Sequence, residues 1–433
     1  MHFASNLFGK KTLLALSVAA FASGCSDGEN KTDTAAQDNK QDNHQSTESF
    51  SRVAVSEFNS NSVYVLNANN FGVVDQFAMT HSPSALKTSP DGRYALAFQR
   101  SQDIVEVIDS GISAEAHGDH FHLHSEKPSL INGKYESTAP THYDLAGSQA
   151  ALFFDGDSKT GVNAEFRVID DATIGTTSHV ASYPFNYAVH GTAQIFGEHV
   201  FTGIVDNAVD PRLPNKVLAL ELHNDHFHEL SIATDNCPSL HGSAQSKTQV
   251  AFACNDGVVV IDNPGGSPQF SKVPNPTTLV ANSRIVKVLG FKSADKLLFV
   301  TAALQAFQLN DQGALTEINW KEADTEEYLA YTSIDSAFLV LSSNGKLKAF
   351  DPAKNFELAS EVQIWETAPT LDQGQKFSIV HDKRNNHVFV TDPKNKKLFE
   401  VELGQQPTVK THELSFIPHL ITWVGTTEQE HHH

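Results

Sequence analysis

Short apolar runs, each closed by Asn, Asp or Glu, recur along the chain between about residues 52 and 425. Val63-Tyr64-Val65-Leu66-Asn67, Val105-Glu106-Val107-Ile108-Asp109 and Phe166-Arg167-Val168-Ile169-Asp170 set the form, which returns at 217–221, 258–262, 306–310, 347–351 and 398–402. All but the first follow another apolar run, such as Tyr94-Ala95-Leu96-Ala97-Phe98 or Ala151-Leu152-Phe153-Phe154. Runs of this length, punctuated by Pro90-Asp91-Gly92, Asn255-Asp256-Gly257 and Ser343-Asn344-Gly345, predict strands joined by tight turns. A helical period is not sustained in any segment. Units spaced by roughly 40–60 residues have the length of a four-stranded blade. The chain therefore reads as all-β, an eight-bladed β-propeller, with seven blades as the alternative and a two-layer sandwich a poorer fit. Residues 52–67 supply only outer strands of the first blade. The apolar run 416–424 then provides its inner strand, so the C-terminal strand closes the ring.

The segments flanking the propeller have a different texture. Lys10 and Lys11 precede an apolar run, Leu13 to Phe21, too short to span a bilayer. It ends in Ala22-Ser23-Gly24-Cys25, which resembles a bacterial lipoprotein signal with Cys25 as the lipidated residue; an ordinary cleaved signal is the competing reading. The expected organisation is a signal peptide over 1–24, the lipidated cysteine and a polar, disordered tether over 25–51, the propeller over 52–425 and a disordered tail over 426–433. Ser26 after the cysteine suits the outer membrane better than the inner. A periplasmic, lipid-anchored monomer is expected, touching the membrane only through its anchor. Nothing is drawn from His431-His432-His433.

Composition narrows the partners. The 433 residues are 40% hydrophobic, enough for a large core, and carry a formal net charge of −20. That charge disfavours nucleic acid and anionic lipid surfaces and is compatible with attracting cations. Histidine reaches 22 while methionine stands at 2. Of the three cysteines, Cys237 and Cys254 remain after Cys25. In an oxidising compartment they form a natural disulfide pair, with a soft thiolate metal site as the rival.

The histidines are patterned. His117-Gly118-Asp119-His120-Phe121-His122-Leu123-His124 interleaves imidazoles with a carboxylate, and a shortened copy recurs at His223-Asn224-Asp225-His226-Phe227-His228. Imidazole nitrogen with carboxylate oxygen suits Zn2+. If extended, residues 120–124 place His120, His122 and His124 on one face. The longer stretch is assigned to the connection between the second and third units, placed to fold over one channel mouth. The shorter, with Asp225 as its carboxylate, follows an outer strand and is expected on the rim as a weaker metal site or a solvated loop. In a propeller the inner strands line a central channel, so matched positions of successive blades converge. His142, His190 and His241 occupy such positions, the last two within His-Gly-Thr/Ser-Ala-Gln at 190–194 and 241–245. A shared zinc site is expected there, completed by one or two ligands from the Asp119–His122 stretch. His381 and His419 are lesser candidates for its surroundings, and Asp144 for orienting His142 or joining it.

The order His-Gly-Asp-His-x-His at 117–122, Pro-x-His at 140–142, His190-Gly191, then Cys237-Pro238-Ser239-Leu240-His241-Gly242 with Cys254 and Asp256-Gly257 resembles the AztD-type periplasmic zinc chaperones over nearly all of the body. The resemblance implies a zinc-binding propeller, not an enzyme, that passes its ion to the solute-binding protein of a zinc ABC importer. It carries a ligand role onto His120, His122, His142, His190 and His241, and a disulfide onto Cys237 and Cys254. The lipoprotein signal and long tether depart from a soluble periplasmic protein. Two other readings remain: a metal-dependent propeller hydrolase of the lactonase type, with Asp144 or Asp119 as acid or base, and a ligand-free interaction propeller.

Overall fold

The computed structural model describes residues 49–118, 120–206 and 212–429. The signal sequence, Cys25, nearly all of the tether, Asp119 and His431 to His433 lie outside the described residues. The described strands form eight four-stranded antiparallel sheets and one two-stranded hairpin, Ile112–His117 with His120–Ser125. Each sheet is a blade, and the recurrent apolar runs of the sequence are its second and third strands.

Period-two alternation explains why those runs are continuously apolar. Successive side chains of a strand point to opposite faces, and here both faces are covered by neighbouring blades. In the strand Gln149–Phe154, Leu152 and Phe154 pack with Leu96, Phe98 and Val107 of the preceding blade. Ala151 and Phe153 pack with Ala193, Ile195 and Leu218 of the following one. Each such Leu or Phe contributes about 1.5–3 kcal/mol by leaving water. The apolar clusters among the described residues each join two adjacent blades, the last and first included. Burial falls away outward: Tyr94–Gln99 is buried throughout, whereas the outermost strand His226–Ile232 is almost wholly exposed.

The ring closes as expected. Pro418–Gly425 is the inner strand of the first blade, paired antiparallel with Ser51–Glu57 so that Val53 faces Trp423, with Ser62–Asn67 and Val73–Ala78 outside it. Trp423 Nε1 donates to Ser51 Oγ at 2.9 Å, and Ser51 Oγ donates to Asp382 Oδ1 of the eighth blade at 2.8 Å. Eight blades are present, which sets the seven-blade alternative aside.

Because strands alternate in direction, every inner strand starts at the same face of the ring. The turn between the third and fourth strands of any blade lies at the opposite face. A six-residue strand spans about 20 Å, so these two faces are well separated.

Cys237 and Cys254 are joined by a disulfide, so neither thiolate is available as a metal ligand. The bond ties the segment entering the inner strand Ser243–Gln245 to the end of Gln249–Cys254. Within that loop the His241 amide donates to the Ala253 carbonyl at 2.9 Å, and the Ala253 amide to the Gly242 carbonyl at 3.0 Å. For a loop of this length, replacing both cysteines (C237A/C254A) is expected to lower stability by about 3 kcal/mol, measured by urea unfolding. An unchanged midpoint and slope would show that the two amide bonds hold the loop unaided.

Candidate metal centre

The third, fourth and fifth blades begin with Pro140–Ala146, Ala193–Phe196 and Ser243–Gln245. Each delivers one imidazole to the same mouth of the channel: His142 within the first of these strands, His190 and His241 just ahead of the other two. His142 Nε2 lies 3.4 Å from His190 Nε2, and His190 Nε2 lies 3.2 Å from His241 Nε2. The ring centroids are separated by 4.9, 5.1 and 5.8 Å. Two ligands held at about 2.0–2.1 Å by a tetrahedral zinc ion stand about 3.3–3.4 Å apart. The nitrogens are therefore already at ligand spacing.

Their orientation is enforced from behind. His190 Nδ1 is 2.8 Å from Asp155 Oδ2, and His241 Nδ1 is 2.9 Å from the Val286 carbonyl. An acceptor oxygen demands a proton on each Nδ1, which leaves both Nε2 atoms as lone pairs facing one another. Asp155, at the end of the strand Gln149–Phe154, also accepts from Arg100 Nη2 and Thr141 Oγ1, each at 2.8 Å. Burial by itself raises Asp155, but the bonds from His190, Arg100 and Thr141 outweigh it and hold the carboxyl below its ordinary value. Burial, followed by the charges of His190 and His241, pushes His142 down to about 3; burial is also the main cause lowering His241. Neutral imidazole, the metal-binding form, is thus favoured at both positions.

Asp144 shares the channel-facing side of its strand with His142, but it does not orient that ring. Its Oδ2 accepts from Thr192 Oγ1 at 3.0 Å, and burial raises it to about 6 against the opposing pull of this bond and of Lys87. Lys87 and Lys287 reach water yet are walled in by protein, as side chains in a wet bore are. Burial lowers both, Lys287 to about 8, and Asp144 partly offsets the shift in each. The orienting carboxylate is Asp155, which the sequence reading missed. It stands 35 residues from His190 and looks like an ordinary strand-ending Asp.

The His117–His122 stretch forms a second, separate group. His120 Nε2 and His122 Nε2 are 3.3 Å apart, and the His117 ring lies 5.3 and 5.4 Å from theirs. Pairing of Glu115 with His122 and of His117 with His120 places all four on one face of the hairpin. Arg52 of the first blade anchors its base, donating to the carbonyls of Ser110 and, at 2.8 Å, Glu126. His124 stands outside this group, its Nε2 3.7 Å from Glu115 Oε2.

Here the structure corrects the single-shell expectation. The stretch is not a connection between the second and third blades. It is inserted within the second, between its third strand Ile104–Asp109 and its outermost strand Ser129–Glu136. That insertion point lies at the face opposite the His142–His190–His241 mouth, so the hairpin does not complete the triad's shell. His381 and His419 do not join the triad either: His381 Nε2 bonds Asn386 Oδ1 at 3.0 Å, and His419 packs on Phe58 with ring centroids 5.4 Å apart. His223, His226 and His228 lie at the outer edge of the fourth blade, on the rim as expected.

No family model matches the chain. Among curated proteins, the zinc chaperone AztD of Citrobacter koseri is 24% identical over 371 residues, covering 81% of this chain and 82% of AztD. The crystal structure of Citrobacter koseri AztD superposes with a TM-score of 0.72 at 19% identity, covering 88% of this chain and 99% of that one. Its apo form gives 0.70 over the same shares. In sequence and in fold, the chain is similar to the AztD zinc chaperone across most of its length.

Proposed function

We propose that this protein is a zinc carrier without catalytic activity, which receives the ion at the His142–His190–His241 mouth and hands it to the solute-binding protein of a zinc ABC importer. One observation carries the reading: three Nε2 atoms from three blades stand at zinc-ligand spacing, with the rings of His190 and His241 locked by acceptors behind them. Lone pairs facing each other at 3.2 Å repel, and a cation between them converts that repulsion into coordination. The likeness to a protein named as a zinc chaperone supports zinc as the cargo.

Three imidazoles fill three of four tetrahedral positions. The fourth falls to water or to an incoming ligand from an acceptor protein, and an open position of that kind permits ligand-by-ligand exchange without release of free ion. The net charge of −20 concentrates divalent cations near the surface. In this reading the His117–His120–His122 hairpin is a second zinc-binding group at the far face, with Asp119 as an added ligand. The cellular setting we propose is the periplasm, with Cys25 lipidated and residues 26–51 as the tether.

His190→Ala is expected to lower zinc affinity at the channel mouth more than Asp155→Asn, which replaces the orienting carboxylate by an uncharged amide and costs about 10–100-fold. Competition titrations against a chromophoric chelator measure both, and equal affinity in all three proteins would sink the assignment. His120→Ala/His122→Ala is expected to leave the channel-mouth affinity unchanged, since the hairpin lies at the other face. A loss at the mouth in that variant would restore a shared shell. Zinc-loaded protein mixed with a candidate solute-binding protein should transfer its ion in the presence of a chelator that captures free zinc. Transfer abolished by the chelator would exclude direct hand-over.

A further inference from the structure

The hairpin at the outer edge of the fourth blade repeats the ligand set of the hairpin in the second. Glu115-Ala116-His117-Gly118-Asp119-His120-Phe121-His122 aligns without a gap to Glu221-Leu222-His223-Asn224-Asp225-His226-Phe227-His228, with Glu, His, Asp, His, Phe and His coinciding. The pairing coincides as well. His117 faces His120 and Glu115 faces His122, as His223 faces His226 and Glu221 faces His228. The first turn residue has positive φ in each, +66° at Gly118 and +56° at Asn224, as two-residue hairpin turns of this hand require. Both hairpins extend from the third strand of a blade, so both stand at the face opposite the His142–His190–His241 mouth.

Directly paired residues share a face, which gathers Glu221, His223, His226 and His228 on one side of the second hairpin. His226 Nε2 and His228 Nε2 are 3.2 Å apart, again the spacing of two zinc ligands. The His223 and His228 rings are 4.8 Å apart, and Glu221 Oε2 lies 2.8 Å from His223 Nε2. Asp225 Oδ1 sits 3.1 Å from His226 Nδ1 and so turns Nε2 of that ring toward His228, as carboxylates behind metal-bound histidines do. On the reverse face Phe227 packs edge-on against Phe166 of the third blade at 5.2 Å, and Tyr183 donates to Glu229 at 2.9 Å. The hairpin is therefore braced rather than loose.

We propose that Glu221, His223, His226 and His228 form a further metal site, open to solvent, for a borderline divalent cation of the zinc class. Three imidazole nitrogens with one carboxylate oxygen suit that class over calcium or magnesium. The proposal rests on the reading of the protein as a zinc carrier and adds to it a capture site at the outer edge of the ring. This site binds more weakly than the channel mouth. Its ligands are exposed, and the His223 and His226 rings stand 6.2 Å apart, against 5.3 Å for His117 and His120.

The test uses the full chain titrated with zinc under equilibrium dialysis, and with cobalt(II) read by its visible ligand-field bands. His226→Ala/His228→Ala is expected to remove one equivalent of bound metal and leave the channel-mouth equivalent at its original affinity. Asp225→Asn should weaken that same equivalent alone, by about ten-fold. Both changes lie on an exposed hairpin, and an unchanged circular dichroism spectrum verifies the fold. Unaltered stoichiometry and affinity in the double variant, in a chain that still fills the channel mouth, would overturn this site and spare the carrier reading. A chain that takes up no zinc at any site would overturn both.

Discussion

An imidazole whose Nδ1 proton is committed to an acceptor has only a lone pair to offer at Nε2. The channel mouth depends on this constraint. Asp155 holds His190 and the Val286 carbonyl holds His241, so two basic nitrogens are kept 3.2 Å apart with no proton to share between them. Neither ring can turn away without giving up a part-buried hydrogen bond. Asp155 is in turn fixed by Arg100 and Thr141. What holds the histidines together is thus a network of acceptors and donors drawn from several blades, which keeps an unfavourable contact that a bound cation would relieve.

That network has meaning only because the blades are locked in register. Each blade is apolar on both faces, and sliding one against the next would separate Leu152 and Phe154 from Leu96 and Phe98 at one interface. The closing contact between Trp423, Ser51 and Asp382 joins both ends of the propeller chain to the eighth blade, so the ring cannot relax by opening there. Rigidity of this kind, combined with an open fourth position, is what a carrier needs. In the proposed function the ion would be gripped by a preformed set, and an acceptor could still approach it.

The architecture was legible because strands buried on both faces write unbroken apolar runs, and Asn, Asp and Gly mark their ends. The convergence of His142, His190 and His241 followed from counting units. Position along the axis was harder to read. The outermost strand of the second blade, Ser129–Glu136, is mostly half-buried and has no long apolar run to announce it. From sequence the unit reads as ending after its third strand, which puts the histidine hairpin in the wrong connection and at the wrong face. The placement of Glu115 and Glu221 on the histidine faces is hidden for a related reason: it emerges only once the two-residue turns set each strand opposite its partner. Asp155 carried no local signal, since its bond to His190 crosses between blades.

The charges inside the bore have a directional meaning. Lys87 and Lys287 stand on inner strands within electrostatic reach of Asp144, so a doubly positive ion moving along the axis would meet repulsion on the way. For the proposed carrier, this arrangement favours a cul-de-sac over a conduit. In that reading, metal bound at His190 would depart by the doorway through which it arrived, and a docking acceptor would present itself on that side of the wheel.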